Sequence, residues 1–397
     1  MNQIQIPVKP FATFIDAASS WLSKANTMKG GLELRLAKEG NDLHVSVGGD
    51  SNYIEAVLDA DVAILEKEIF LDMSYLSNYT FDVESLALVI PHPTVAADNK
   101  IEKRAQFKAP GQNFRIPLRP GEHWEKNEQN FDQFANAPGF SVTQELMKEI
   151  FPYLQLPDSF KIDREKTLPQ LVFETVEDGF RCYTDDGFGA FCHVFYCYGF
   201  TPTENFSRIL IPYEFLIPFK KIEQFTEITL RQTASISVAE FSGIPGFKKF
   251  RWVQPKYIKG MANVPEDLSR ARAKAETCLV FDTQEFLKNV EKSTVFLHGK
   301  DFQDTSVNFS IIKSSYTLST KTTDSTMDVE GVAKEDSIKS YRGVPFQAAC
   351  LKEYLKCLDK SNSFNMEILS GTVTLYQDIK TEKGRKMILY WKPTKYG

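Results

Sequence analysis

The sequence predicts an α+β protein made of three similar units, each with two helices packed on antiparallel sheets. Three observations lead there. Amphipathic helices open near residues 10, 141 and 282, a hairpin-like stretch of alternating apolar residues follows each, and two polar stretches separate the units. A chain of 397 residues has room for this arrangement, since a compact domain takes ~100–200 residues.

Taken in order, the opening helices are expected over Pro10 to Ala25, Ser141 to Leu154 and Asp282 to Phe296, each after a cap or turn residue. In the first unit Leu32, Leu34 and Leu36 face Leu43, Val45 and Val47 across the turn Glu39-Gly40-Asn41-Asp42. Leu171 and Phe173 precede the turn Glu177-Asp178-Gly179 and then Phe180 in the second. Val307, Phe309 and Ile311 precede Tyr316 and Leu318 in the third. A second short helix, entered from an extended apolar segment, is expected within 69–81, 209–222 and 343–358, and further strands close each unit. The polar stretches Arg119 to Pro138 and Gln254 to Glu276 then set domain boundaries of 1–125, 139–254 and 277–397.

Composition narrows the class. With 42% hydrophobic and 25% charged residues the chain can bury sizeable cores, which excludes disordered and collagen-like architectures. No stretch approaches the ~18 apolar residues of a membrane span, and the N-terminus lacks a signal-peptide pattern, so a cytoplasmic protein without membrane partners is expected. A formal charge of −5 excludes a uniformly basic nucleic-acid binder but leaves room for a local basic surface. The six cysteines form no CxxC pair and are absent before Cys182, which suits reduced thiols.

Few constellations support chemistry. The five histidines do not pair at ligand spacing. Cys192, His193 and Cys197 invite a zinc reading, but adjacent strand residues point to opposite faces, so buried thiols are expected and no metal or cofactor. Asp185 and Asp186 lack a second acidic cluster for metal-assisted phosphoryl chemistry and read as a turn. There is no Walker A, GxGxxG or GxSxG sequence, so the expectation is a protein without enzymatic activity. In Phe247-Lys248-Lys249-Phe250-Arg251-Trp252, alternation groups Phe247 with Lys249 and Arg251, and suits an edge strand packing its aromatics inward better than a base-stacking platform.

One stretch carries a family resemblance. LPQLVFETVEDGFRCYTDDGFGA, residues 168–190, resembles the middle domain of the bacterial DNA polymerase III beta subunit, the sliding clamp. FLKNVEKSTVFL at 286–297 is similar to the first helix of that family's last domain, and NFRIP at 113–117 followed by Trp124 to the end of its first. The resemblance covers nearly the whole chain and rests on the ordered set of motifs. It departs from the family where His-Arg-Leu becomes Gly187-Phe188-Gly189 and where the C-terminus becomes YWKPTKYG, a drift that suggests a phage-encoded clamp.

The resemblance implies three clamp domains per chain and a homodimer closed head to tail around duplex DNA, acting as a polymerase processivity factor. DNA would be held without sequence preference, and polymerase and clamp loader would bind through short peptides. Basic residues suited to phosphates are Lys24, Lys220, Lys221, Lys288, Lys292, Lys352, Lys356 and Lys360, with Arg164 and Lys166 in a loop that resembles one reaching DNA in the family. Lys352, Lys356 and Lys360 recur every four residues and are expected as one stripe on a helix. Phe114, Phe296 and Leu297 are implied at the dimer interface. Leu168, Thr184, Gly187, Phe188, Gly189, Pro255, Ile388, Tyr390 and Trp391 are implied around the partner-peptide pocket. The competing readings are a metal-dependent DNA-processing enzyme using Asp185 and Asp186, and a clamp-fold interaction protein that does not close.

Overall fold

The computed structural model describes residues 2–22, 33–49, 52–59, 68–77, 79, 83, 85–90, 104–121, 137, 139–154, 170–176, 179–185, 191–198, 208–212, 219–233, 236–255, 277–298, 305–335, 337, 339–369, 372–380 and 386–391. The first elements are β1 (Asn2–Pro7), α1 (Val8–Leu22), β2 (Glu33–Glu39), β3 (Asp42–Gly49), β4 (Asn52–Leu58), β5 (Ile69–Asp72), β6 (Ser85–Ile90), β7 (Arg104–Ala109) and β8 (Gln112–Arg119). Next come β9 (Gly139–Thr143), α2 (Gln144–Leu154), β10 (Gln170–Val176), β11 (Gly179–Asp185), β12 (Phe191–Tyr198), β13 (Arg208–Pro212), β14 (Glu227–Gln232), β15 (Ile236–Ser242) and β16 (Phe247–Pro255). The last are β17 (Thr277–Asp282), α3 (Thr283–Ser293), β18 (Ser306–Ile312), β19 (Ser315–Lys321), β20 (Thr326–Val332), β21 (Tyr341–Gln347), α4 (Ala348–Cys357), β22 (Ser363–Leu369), β23 (Thr372–Lys380) and β24 (Lys386–Trp391). None of these helices is long and apolar enough to cross a membrane.

The chain forms two compact units, Met1–Glu149 with Pro202–Tyr257, and Ile150–Thr201 with Ile258–Gly397. In the first unit one antiparallel sheet runs β1-β6-β7-β8-β5-β2-β3-β4-β16-β15-β14-β9. The anticipated hairpin is there, with Leu34 opposite Val47 and Leu36 opposite Val45. Its tight turn uses Gly40 at φ 62°, a left-handed conformation that a side chain would strain. α1 lays Phe11, Phe14 and Ile15 on this sheet, with the Phe14 ring edge-on to Phe250 at 6.1 Å.

β16 corrects one expectation. It is no edge strand, because it pairs with β15 on one side and β4 on the other. Phe250 and Trp252 do face inward at 0% exposure. A register shift between Phe247 and Lys249 turns Phe247 from the lysine's side toward Phe250, whose ring lies 5.7 Å away. On the opposite face Arg251 aligns directly with Glu55 and Glu240 and pairs with both carboxylates.

In the second unit one antiparallel run of strands is ordered β10-β11-β12-β24-β23-β22-β17, and a separate four-stranded sheet is ordered β20-β19-β18-β21. The expected facing pairs recur, Phe309 opposite Leu318 and Ile311 opposite Tyr316. Phe281 sits at the centre of an aromatic core, with rings of Phe286, Phe364, Tyr316 and Phe309 between 4.9 and 5.8 Å away. Asn289 donates to the Tyr316 hydroxyl at 3.0 Å, so the buried phenol keeps a polar partner.

Of the three expected second helices, the one within 69–81 differs from expectation. Within 69–81 the chain forms β5 and then a single 3-10 turn, Met73–Tyr75, because the Asp72 carboxylate accepts from the Ser74 N–H and β5 is held against β2. Within 343–358 the expected order is present, with β21 as the extended entry and the helix starting at Ala348. Within 209–222 β13 is the extended entry, Phe219 is helical with its carbonyl accepting from the Ile222 N–H, and residues 213–218, where the helix is expected, lie outside the described residues.

Candidate nucleic-acid interface

Helix α3 is amphipathic for a local reason. Asp282 caps it by accepting from the Glu285 N–H at 2.9 Å, which satisfies an otherwise orphan donor, and Glu285 favourably occupies the first turn. Phe286, Leu287, Val290 and Ser293 are buried, which leaves Glu285, Lys288, Glu291 and Lys292 exposed. α4 buries Cys350, Leu351, Tyr354 and Leu355 in the same way. Burial pushes the Cys350 thiol up to about 12 and Cys357 to about 11, so neither is a ready thiolate.

The two helices meet, and Lys352 Nζ lies 3.8 Å from Glu291 Oε1. Lys352 is therefore partly engaged within the chain. Lys288, Lys292, Lys356 and Lys360 are exposed and form no ion pair with another described residue. The three-lysine helical stripe needs correction. α4 ends at Cys357, Leu358 is extended (φ −70°, ψ 153°) with its side chain buried, and Lys360 stands in the turn beyond. Burial of Leu358 outweighs another helical turn.

Lys220 and Lys221 are exposed in the short turn after Phe219. Lys24, Arg164 and Lys166 lie outside the described residues. α1 exposes Lys9 and Asp16, and α2 exposes Glu145 and Lys148, so each shows one lysine where α3 shows two beside two glutamates and α4 adds Lys356.

The residues expected at a dimer contact divide. Phe114 is half-buried on β8, its ring stacked on Phe107 at 4.9 Å and tilted against Tyr79 at 4.3 Å. Phe296 is half-buried and Leu297 is buried within its own chain, while neighbouring Val295 is 61% exposed. Two strand edges stand out beside them. Residues 112–117 of β8 pair only on the β7 side among the described residues, and β20 pairs only with β19. Arg104, Lys108 and Arg115 are exposed on the β7–β8 hairpin, whereas Asp328 and Glu330 are exposed on β20. Sequence reasoning missed these opposite charges, although the i, i+2 alternation within each strand carries them.

Among the expected pocket residues Thr184 is buried on β11 opposite Leu171. β12 separates β11 from β24, with Val194 opposite both Tyr183 and Ile388, Cys192 opposite Tyr390 and Phe191 opposite Trp391. By strand register Ile388 and Tyr390 align with the Tyr183 row, and Trp391 with the alternate row to which Thr184 belongs. Pro255 ends β16. Leu168, Gly187, Phe188 and Gly189 lie outside the described residues, as does Asp186, while Asp185 ends β11 opposite Gln170. Among the described residues no three His, Cys, Asp or Glu side chains gather where a metal ion could be held.

No protein-family model matches the chain, and no curated protein does. Solved structures do match, over essentially the whole length. The DNA polymerase sliding clamp from Caulobacter crescentus is similar with 15% identity, 98% of this chain and 99% of that one covered, and a TM-score of 0.73. The sliding clamp from Bacillus subtilis is similar at 11% identity over 100% of both chains, with a TM-score of 0.72. The class is thus an α+β protein with the clamp fold. More narrowly, the fold is that of DNA polymerase III beta subunits, as in the Thermotoga maritima protein, which is similar at 14% identity over 98% of each chain with a TM-score of 0.72.

Proposed function

We propose that this protein is a DNA sliding clamp, a processivity factor that tethers a polymerase by encircling duplex DNA and performs no chemistry of its own. In this reading its three clamp domains are 1–125, 139–254 and 277–397, and two chains close head to tail. The observation that carries it is the clamp fold over the full chain, joined to exposed Lys288, Lys292 and Lys356 on α3 and α4, which form no ion pair with a described acidic side chain. Lysines without an ion-pair partner on adjoining helices suit a sequence-independent phosphate contact, while a net charge of −5 keeps the remaining surface from holding DNA.

Ring closure draws on the two open strand edges. A head-to-tail contact joins different surfaces and closes when its rotation does. The basic β7–β8 hairpin and the acidic β20 are complementary for such a contact, and Phe296 beside exposed Val295 offers apolar area near α3. The partner-peptide pocket is proposed on the β11–β12–β24 part of the second unit with Thr184, Ile388, Tyr390 and Trp391, together with Leu168 and the Gly187-Phe188-Gly189 segment.

Light scattering combined with DNA retention tests this reading. The expected results are twice the chain mass in solution, and retention on circular duplex with escape from the same duplex once linearised. A monomer at every concentration, or equal retention on both forms, overturns it. Charge reversal of Arg104, Lys108 and Arg115 to glutamate is expected to yield monomers, and adding Asp328→Lys with Glu330→Lys to restore the dimer.

A further inference from the structure

The turn after α4 is held more firmly than an ordinary surface loop. Asp359 Oδ1 accepts from the Ser361 N–H at 2.9 Å and the Ser361 hydroxyl at 2.7 Å, while Oδ2 accepts from Asn362 Nδ2 at 2.6 Å. Gln377, fully buried on β23, grips the turn from beneath. Its Oε1 accepts from the Asp359 N–H at 2.8 Å, and its Nε2 donates to the carbonyls of Asp359 at 2.9 Å and Ser363 at 3.3 Å. Thr283, at the start of α3, donates to the Asn362 carbonyl at 2.5 Å. Lys334 Nζ reaches the Ser363 hydroxyl at 2.6 Å, which brings a second cation to the same turn. Both ends of a five-residue segment are thereby fixed to the core, and its exposed cation is Lys360, which pairs with no described carboxylate. A fixed backbone under a cation lowers the entropy lost when that cation binds a phosphate.

We propose that the Asp359–Ser363 turn is a phosphate contact of this protein, with Lys360 the contacting group and Asp359 and Gln377 its positioning residues. The proposal rests on the DNA-binding reading above and deepens it. It also makes a prediction of unusual sign. Asp359 is an anion next to the contact lysine, so simple electrostatics says that its removal tightens DNA binding. Positioning says the reverse.

The test uses the full chain and a fluorescent linear duplex, with affinity measured across a salt series and thermal melts as a folding control. Lys360→Ala is expected to flatten the slope of log affinity against log salt by about one. Asp359→Ala is expected to weaken binding roughly threefold, although it removes a negative charge, and to add nothing in the Lys360→Ala background. Asp359→Asn, which keeps an acceptor for Ser361, is expected to bind at least as tightly as the wild type. If Asp359→Ala binds more tightly, or Lys360→Ala leaves the slope unchanged, the turn is a surface feature and the inference falls while the DNA reading stands. Should Asp359→Ala fail to fold, the Lys360→Ala slope decides alone. Wild-type protein that binds no duplex at any salt overturns both.

Discussion

Helices α1 and α3 open corresponding parts of the chain, and both bury a phenylalanine-led stripe, Phe11 and Phe14 in one and Phe286 in the other. Their exposed faces differ. α1 shows one lysine, Lys9, with Asp16, whereas α3 shows two, Lys288 and Lys292, with Glu285 and Glu291, beside an α4 that adds Lys356. The buried stripe answers to the core and is therefore similar wherever the fold recurs. The exposed face is not held by the core, so it is where one copy of a repeated design can specialise.

That comparison can be broken at several points. The largest effect is expected in the stripes, where Phe14→Ala and Phe286→Ala should each cost about 3–5 kcal/mol in denaturant unfolding, since each ring is almost wholly buried. A near-zero loss for either would mean that the two helices are not equivalent in their cores. Next, changing Lys288, Lys292 and Lys356 to alanine should flatten the salt dependence of duplex binding by about 2–3 in the log–log slope, while Lys9→Ala should leave it unchanged. Equal effects from both helices would erase the proposed specialisation. Removing the α3 cap by Asp282→Ala should lower stability by about 1 kcal/mol, measured by thermal unfolding.

The smallest effect concerns acid. Hydrogen bonds from Ser361 and then Asn362 outweigh burial and hold the Asp359 carboxyl below its usual 3.8. Burial pushes Asp72 upward, but hydrogen bonds from Ser74 and Arg119 exceed that and hold it below the usual range as well. A carboxyl depressed on folding stabilises the protein above its unfolded pKa, and that contribution fades as pH falls below about 4. Asp359→Asn and Asp72→Asn should therefore each make the acid limb of a pH–stability curve shallower, which acid titration of the melting temperature would reveal.

Much of the fold was legible in the sequence because it follows from neighbours. The β2–β3 and β18–β19 hairpins show in a two-residue alternation, and α3 shows in its 3.6-residue stripe and cap. What escaped depends on distant partners. β16 gains its central place from β4, and neither strand's composition encodes that pairing. Lys360 leaves the helix because Leu358 finds a buried site and because Gln377, far along the chain, grips the following turn. A glutamine in a strand announces none of this. Among the candidate site residues the lysines on α3 could be read from periodicity, but the engagement of Lys352 by Glu291 needed the packing of two helices.

The join between β4 and β16 also bears on how the chain is made. β4 ends at Leu58 and β16 begins at Phe247, so at roughly 5–20 residues per second a ribosome takes about 10–40 s to supply the partner. For that interval the strand NYIEAVL presents an open, largely apolar edge, the kind of surface on which nascent chains adhere to one another. Its lone charge, Glu55, stands at the middle of the strand. Before Arg251 arrives, an unpaired carboxylate there discourages stacking of like edges; afterwards it becomes half of a bond across the seam. One side chain thus guards the unfinished protein and fastens the finished one.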